Sequence, residues 1–163
     1  MLPHPTPRLR FREMTMADLD AMRSLLGDPE VMTYYPAPKT RDEAAAWIQW
    51  NRDNYARDGH GLWIIETHDG GFVGDCGLTW QQVNGRCELE VGYHVRRELQ
   101  GRGYASEAAL ACGILRGMSW GLSSLLRSSI RTTWRRAGSL SGWGCGTLKM
   151  MGADPAANTL CGP

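Results

Sequence analysis

Apolar and polar residues alternate from Pro7 to Met14 (PRLRFREM), where Leu9 and Phe11 sit among arginines. A period of two predicts a half-buried strand. The period then lengthens: Leu19, Met22, Leu25 and Leu26 recur at helical spacing behind Thr15 and Asp18, which stand close to a capping box, and Gly27-Asp28-Pro29 stops the run. Thr40 with Glu43 caps a second predicted helix that carries Trp47, Ile48, Trp50 and Tyr55 and closes at Gly59-His60-Gly61. Two β-rich runs come next, LWIIET (62–67) and FVGDCGLTW (72–80), joined by His68-Asp69-Gly70-Gly71, a hairpin signal. A third, RCELEVGYHV (86–95), puts Cys87, Leu89, Val91 and Tyr93 on one face. After a glycine-rich stretch comes Glu107-Ala108-Ala109-Leu110-Ala111, helical by propensity. The predicted order is β-α-α-β-β-β-α, an α/β layout built on an antiparallel meander.

The glycine-rich stretch, Gln100-Gly101-Arg102-Gly103-Tyr104-Ala105-Ser106, lies between the last of these strands and the last helix. Small residues there let a phosphate approach the backbone, and the helix start turns unpaired N–H groups toward it. The helix dipole adds roughly half a positive charge. Arg102, with Arg96 or Arg97, would add a screened charge contact. A Gly-x-Gly turn is a weak signal by itself. A Rossmann unit is excluded because the preceding strands form hairpins rather than βαβ. A P-loop is excluded because no Gly-Lys-Ser/Thr comes after it.

Composition narrows the class. The chain has 163 residues, 42% apolar and 21% charged, as expected of one globular domain rather than a disordered segment. A net charge of +1 argues against nucleic acid or an anionic membrane as main partner. No apolar run reaches the ~18 residues of a membrane span, and the opening MLPHPTP lacks the regions of a signal peptide. Five cysteines without a C-x-x-C pair suggest neither a disulfide framework nor a zinc site. The expectation is a reduced, cytoplasmic protein without a metal.

Taken in order, the pieces resemble the GNAT superfamily of N-acetyltransferases, in particular its branch of ribosomal-protein-type and small-amine enzymes. The matching stretches are RLRFREMTMADLDAM with DPEVMTYYP, then FVGDCGL, LEVGYHV and QGRGYASEAAL, from about Pro7 to Ala111. The resemblance implies a central, mostly antiparallel mixed sheet flanked by helices. It implies acetyl transfer from acetyl-CoA to a primary amine by direct attack on the thioester, with no metal and no enzyme nucleophile. Gln100, Gly101, Arg102, Gly103, Tyr104, Ala105 and Ser106 would cradle the pyrophosphate. Tyr93, His94 and Val95 would pair through their backbone with the pantetheine arm, where their strand splays from its neighbour. Tyr34 and Tyr35 fall where the family lines the acceptor pocket. The acceptor is a protein N-terminus or a small-molecule amine, and a homodimer is compatible with the resemblance.

A lysine amine, with pKa about 10.4, is overwhelmingly protonated at neutral pH, whereas an α-amine near 7.8 is about one-tenth neutral. A base therefore matters more for the first. Glu90, on the strand beside the expected thioester, is the leading candidate, and Glu88 on the same face is second. His60 reads as a loop residue, and His94 as a contributor of backbone alone. Trp47, Trp50 and Tyr55 read as core or acceptor-site wall, and Cys76 and Cys87 as small buried side chains.

Composition changes near Ala111. Of the 17 acidic residues, 16 precede it and only Asp154 lies beyond it. The remainder is rich in Gly, Ser, Arg and Trp. Back-translated two bases out of frame, Ile130 to Cys145 permits PDNVASRRVAERLGM, and Ala111 to Leu122 permits LRDFAR with a Glu-Leu-Gly-Leu ending. Both resemble the family's helices beyond the glycine turn. One base lost near codons 111–112 is the simplest account, dividing the chain into an authentic part at 1–111 and an out-of-frame tail at 112–163. The C-terminal part is then expected to be incomplete or irregular, because glycines such as Gly113, Gly117 and Gly138 each cost a helix about 1 kcal/mol relative to alanine. Two other readings remain: a non-catalytic acyl-CoA-binding remnant, and a nucleic-acid-binding module using Arg127, Arg131, Arg135 and Arg136.

Overall fold

The computed structural model describes residues 1–83, 86–120 and 145–149. Strand β1 (Leu9–Arg12) leads through a 3-10 turn at Met16–Asp18 into α1 (Leu19–Leu26) and then α2 (Arg41–Asp58). The meander is β2 (Leu62–Thr67), β3 (Phe72–Val83) and β4 (Arg86–Val95), followed by a 3-10 turn at Arg97–Leu99 and α3 (Tyr104–Trp120). A fifth strand, β5 (Cys145–Lys149), pairs with β4. The sheet runs β1-β2-β3-β4-β5, and each of its four pairings is antiparallel. The helix-flanked α/β sheet matches the expectation, although the described residues include no parallel pair to make it mixed.

Helices cover both faces of the sheet, which is why LWIIE in β2 is buried at successive positions instead of alternating. On one face Trp63, Ile65, Leu78, Val91 and Tyr93 pack against Ala108, Ala109, Cys112 and Leu115 of α3. On the other, Leu62 and Ile64 meet Met22, Leu25 and Leu26 of α1 and Ile48 of α2. The caps stand as the sequence predicts. Thr40 accepts from the Glu43 amide at 3.3 Å while the Glu43 carboxylate accepts from the Thr40 amide at 2.7 Å. Asp18 likewise accepts from the Thr15 amide at 2.8 Å.

Two polar side chains, the buried Asn51 and the half-buried Tyr55, fasten α2 to the start of β2. Asn51 accepts from the Leu62 amide at 2.8 Å and donates to the Trp47 carbonyl at 3.0 Å. The Tyr55 hydroxyl donates to the Leu62 carbonyl and accepts from the Met14 amide. Burial, the main cause, raises the Tyr55 pKa well above its ordinary value and keeps the phenol intact.

Helix α3 crosses Ala111 without a break and continues to Trp120. Cys112 and Leu115 extend the apolar face begun by Ala108, at the spacing of one helical stripe, so burial on β3 and β4 holds this stretch despite Gly113. The rest of the expected irregular tail, 121–144 and 150–163, lies outside the described residues.

Candidate functional site

The C-terminal end of β4 runs through the Arg97–Leu99 turn into the glycine loop and α3. Gly101 and Gly103 take φ of +72° and +81°, a left-handed backbone that side chains resist. A Cβ on Gly101 would meet nothing within 4 Å, so the loop surface there is open. Gln100 donates from Nε2 to the Val95 carbonyl at 3.0 Å and fastens the loop to its strand. The Glu107 amide bonds the Gly103 carbonyl at 3.1 Å, opening the helix. The amides of Tyr104, Ala105 and Ser106 precede that bond, so helix geometry gives them no carbonyl one turn back.

A support not foreseen in the sequence holds this loop. Arg8 donates to the Arg102 carbonyl at 2.9 Å and to the Glu107 carboxylate at 2.6 Å, and its guanidinium lies 4.6 Å from the centre of the Tyr104 ring. Thr6 adds a hydroxyl bond to Glu107 at 2.6 Å. Burial works against the Glu107 charge, but the bonds from Thr6 and Arg8 outweigh it and hold its pKa below the ordinary value. These groups lie 99 residues apart in the chain, and no local pattern announces the pair. Arg97 is paired with Glu30 at 2.8 Å and Arg96 with Glu98, whereas Arg102 is exposed on the loop.

Tyr93 and Val95 send their side chains into the core under α3. The edge of β4 expected to be open to a pantetheine arm is instead covered from Glu90 to His94, whose partners run from Lys149 to Cys145 of β5. The strand does not splay there, because backbone groups at an edge pair with whatever strand reaches them.

On its other face β4 presents Glu90, Gly92 and His94. Glu90 is half-buried opposite Thr79, and the Glu88 side chain lies outside the described residues. His94 does more than lend its backbone: its side chain is buried. Its Nδ1 lies 2.7 Å from Asp75 Oδ1 and its Nε2 lies 3.1 Å from the Tyr35 hydroxyl. Asp75, on β3 and fully buried, also accepts from the His94 amide at 3.0 Å and from Trp47 Nε1 at 3.3 Å.

Trp47 lies edge-on to His94 at 5.8 Å and against Trp50 at 5.3 Å, and the Lys39 ammonium sits 5.2 Å from its ring centre. The ring is thus a wall of this cluster, while Tyr55 belongs to the core. Of the two tyrosines, Tyr35 enters the cluster and Tyr34 is 63% exposed. His60 is a half-buried loop residue whose Nδ1 lies 3.0 Å from the Leu78 carbonyl. Cys76 faces Cys112 at 3.7 Å, and burial, first among the causes, pushes its thiol pKa up, which suits packing rather than nucleophilic attack. A broad cleft of about 930 Å³, lined by charged residues including Asp20, Arg23 and Lys39, contains none of the residues bonded to His94. No cluster of three or more potential metal ligands occurs among the described residues. None of the described helices is long and apolar enough to cross a membrane.

A meander whose last hairpin strand feeds a left-handed glycine loop and a helix start is the framework of an acyltransferase of the GNAT type. The acetyltransferase (GNAT) domain family matches residues 8–143, and the chain belongs to that family. It is 41% identical over 109 residues to the uncharacterized protein YkkB of Bacillus subtilis (strain 168), with 66% of this chain and 63% of that protein covered. It is 34% identical over 107 residues to the uncharacterized N-acetyltransferase p20 of Bacillus licheniformis, with 63% and 59% covered. The chain therefore spans about three-fifths of the length of these two relatives. Among solved structures, an acetyltransferase from Agrobacterium tumefaciens str. C58 superposes with a TM-score of 0.65 at 22% identity, over 93% of this chain and 95% of that one. RimL, a ribosomal-protein α-N-acetyltransferase in complex with coenzyme A, is more distant, with a TM-score of 0.50 at 15% identity over 86% and 71%. These likenesses establish the fold.

Proposed function

We propose that the chain is built for acetyl transfer from acetyl-CoA to a primary amine, a protein N-terminus or a small molecule. The observation that carries this reading is the loop from Gln100 to Ser106, with two left-handed glycines ahead of a helix start, on the fold of the GNAT family. The amides at the head of α3 receive the pyrophosphate, and the clamp of Arg8 on Arg102 and Glu107 keeps them aimed without a side chain in the way. That RimL is found with coenzyme A on a related fold supports the donor. The end of β4 at Tyr93, His94 and Val95 lies along the path from the loop to the thioester. The amine enters on the opposite face, between Glu90 and the wall of Tyr35, Trp47 and Trp50, with Tyr34 at its exposed rim.

In the reaction the amine nitrogen attacks the thioester carbonyl carbon. The C–N bond forms, the C–S bond breaks, and the departing thiolate takes up a proton. Glu90 accepts the proton that an ammonium must lose before it can attack. Strand β5 covers the edge along which the donor arm would pair, so seating the thioester for transfer requires that strand to move aside. A second reading, an acyl-CoA-binding remnant without turnover, holds the pyrophosphate at the loop alone and leaves that strand in place.

The same strand belongs to the tail that we read as out of frame. The loss of acidic residues at Ala111 supports that reading, as do relatives that align over 109 and 107 residues only. The family match to residue 143 is the observation against it. Release of free thiol from acetyl-CoA, dependent on added amine, tests the activity. Protection of the Gln100–Ser106 amides from hydrogen exchange by coenzyme A tests the donor site separately. Protection without turnover leaves the remnant reading, and unchanged exchange removes the pyrophosphate assignment.

A further inference from the structure

We propose that Tyr35, His94 and Asp75 form a proton relay in which the Tyr35 hydroxyl exchanges protons with the amine acceptor, a role that rests on the acetyltransferase reading. His94 and Asp75 are 1% and 0% exposed. Burying two ionisable groups is expensive unless their hydrogen-bonding capacity is met by specific partners. Here the partners fix the protons. Carboxylate oxygens accept, and those of Asp75 receive two N–H donors beyond the ring, the His94 amide and the Trp47 indole. The contact of 2.7 Å from His94 Nδ1 therefore places the ring proton on Nδ1.

Nε2 is then an acceptor in the neutral ring, and the Tyr35 hydroxyl, 3.1 Å away, donates to it. Carboxylate, imidazole and hydroxyl stand in the order of a hydrolase triad, with a phenol in the outer place. Trp47, edge-on to the imidazole, and Tyr35, tilted against it at 5.4 Å, limit the ring's rotation. The chain leads outward: Asp75 and His94 are sealed, whereas Tyr35 is half-buried on the connection between α1 and α2. On β4, Gly92 separates His94 from Glu90 on the same face and places no side chain between them.

An ammonium acceptor sheds two protons on becoming an amide, and the leaving sulfur takes up one. Glu90 receives the first, before attack. As the tetrahedral adduct collapses, the Tyr35 oxygen accepts the second from nitrogen while its own phenolic proton passes to His94 Nε2. The imidazolium formed is stabilised by Asp75. The phenol then protonates the departing thiolate and recovers its proton from Nε2, so the relay ends as it began. Tyr35 is the catalytic residue of this set, and His94 and Asp75 position it.

The test uses the full-length protein and two independent readouts. Nitrogen-resolved NMR of the His94 ring should show Nδ1 protonated and Nε2 bare, with the Nε2 signal moving in Tyr35→Phe and on addition of n-butylamine. Asp75→Asn should shift the proton toward Nε2. In turnover, Tyr35→Phe and His94→Gln should each lower kcat roughly 10²–10⁴-fold while leaving the KM for acetyl-CoA nearly unchanged. A wild-type ring protonated on Nε2, or an Nε2 signal indifferent to Tyr35→Phe and to the amine, overturns the relay whether or not the protein turns over. An active Tyr35→Phe protein with unchanged kcat overturns it as well, and that variant removes one oxygen from a half-buried ring, so folding survives. Absence of wild-type turnover with the expected ring signals counts against the acetyltransferase reading and leaves the relay geometry standing.

Discussion

Two regions at the C-terminal end of β4 are built from different materials. At its C-terminal end, the glycine loop works with backbone: two left-handed glycines, a run of amides and a carbonyl held by Arg8. On the face toward α1 and α2, the His94 cluster works with side chains, of which His94 and Asp75 are sealed from water. Backbone amides cannot titrate and need only correct spacing, so the loop tolerates an exposed surround. An imidazole must keep one tautomer, which demands a dry carboxylate and little freedom to rotate. On the proposed reading, donor recognition would depend on local conformation, and proton handling on long-range packing.

The largest effect should come from changing the stretch beyond Ala111, because α3 and β5 both pack on β4. Restoring one base near codons 111–112 should yield a chain that unfolds cooperatively at higher temperature and acetylates amines at a greater rate. Equal melting and equal rates in the two forms would remove the out-of-frame reading. The warrant is consistency: the restored stretch carries acidic residues and helix-period apolar positions that agree with the first 111 residues.

Next in size is Asp75→Ala. It strips a buried imidazole of its carboxylate and should lower stability by about 3–5 kcal/mol in a urea titration. A loss well under 1 kcal/mol would mean the cluster is not sealed as the geometry indicates. Glu90→Gln comes after it, with turnover falling roughly 10²–10⁴-fold and coenzyme A affinity retained. Unchanged turnover would return Glu90 to a structural place on β4.

At the donor end, backbone changes should outrank charge changes. Gly103→Val should weaken coenzyme A binding in calorimetry far more than Arg102→Ala. The first forces a β-branched residue into φ of +81° against Arg8, whereas an exposed charge contributes at most about 1 kcal/mol. The reverse order would make charge the main determinant of the loop.

The smallest effect concerns acid. Glu107 is held below its ordinary pKa of 4.5, with burial opposing and the bonds from Thr6 and Arg8 prevailing. Asp18 lies below 3.8, with burial opposing and the bonds from Arg12 and Thr15 prevailing. A depressed carboxylate stabilises the fold above its unfolded pKa, and that contribution disappears as pH falls through the folded value. Stability should therefore decline below about pH 4.5, and Arg8→Ala should flatten the part of that decline due to Glu107. A pH curve insensitive to Arg8→Ala would show that the clamp is not coupled to folding.

Much of the molecule is legible in the sequence alone because periodicity is local. Alternation in LRFR, helical spacing after Thr40 and the Asp-Gly hairpin each depend on near neighbours, and the structure places elements there. The glycine loop is legible for the same reason, since a left-handed turn before a helix is written in adjacent residues. Which distant groups meet is a matter for tertiary structure. Alternation assigns His94 to a face of β4 but says nothing of Asp75, 19 residues earlier, or Tyr35, 59 residues earlier. Nor does local pattern couple Arg8 to Glu107, 99 residues on, or seat β5 on the edge of β4. Those contacts depend on strand register and on how helices close over the sheet. Both are settled when the apolar faces find one another, beyond the reach of any local period.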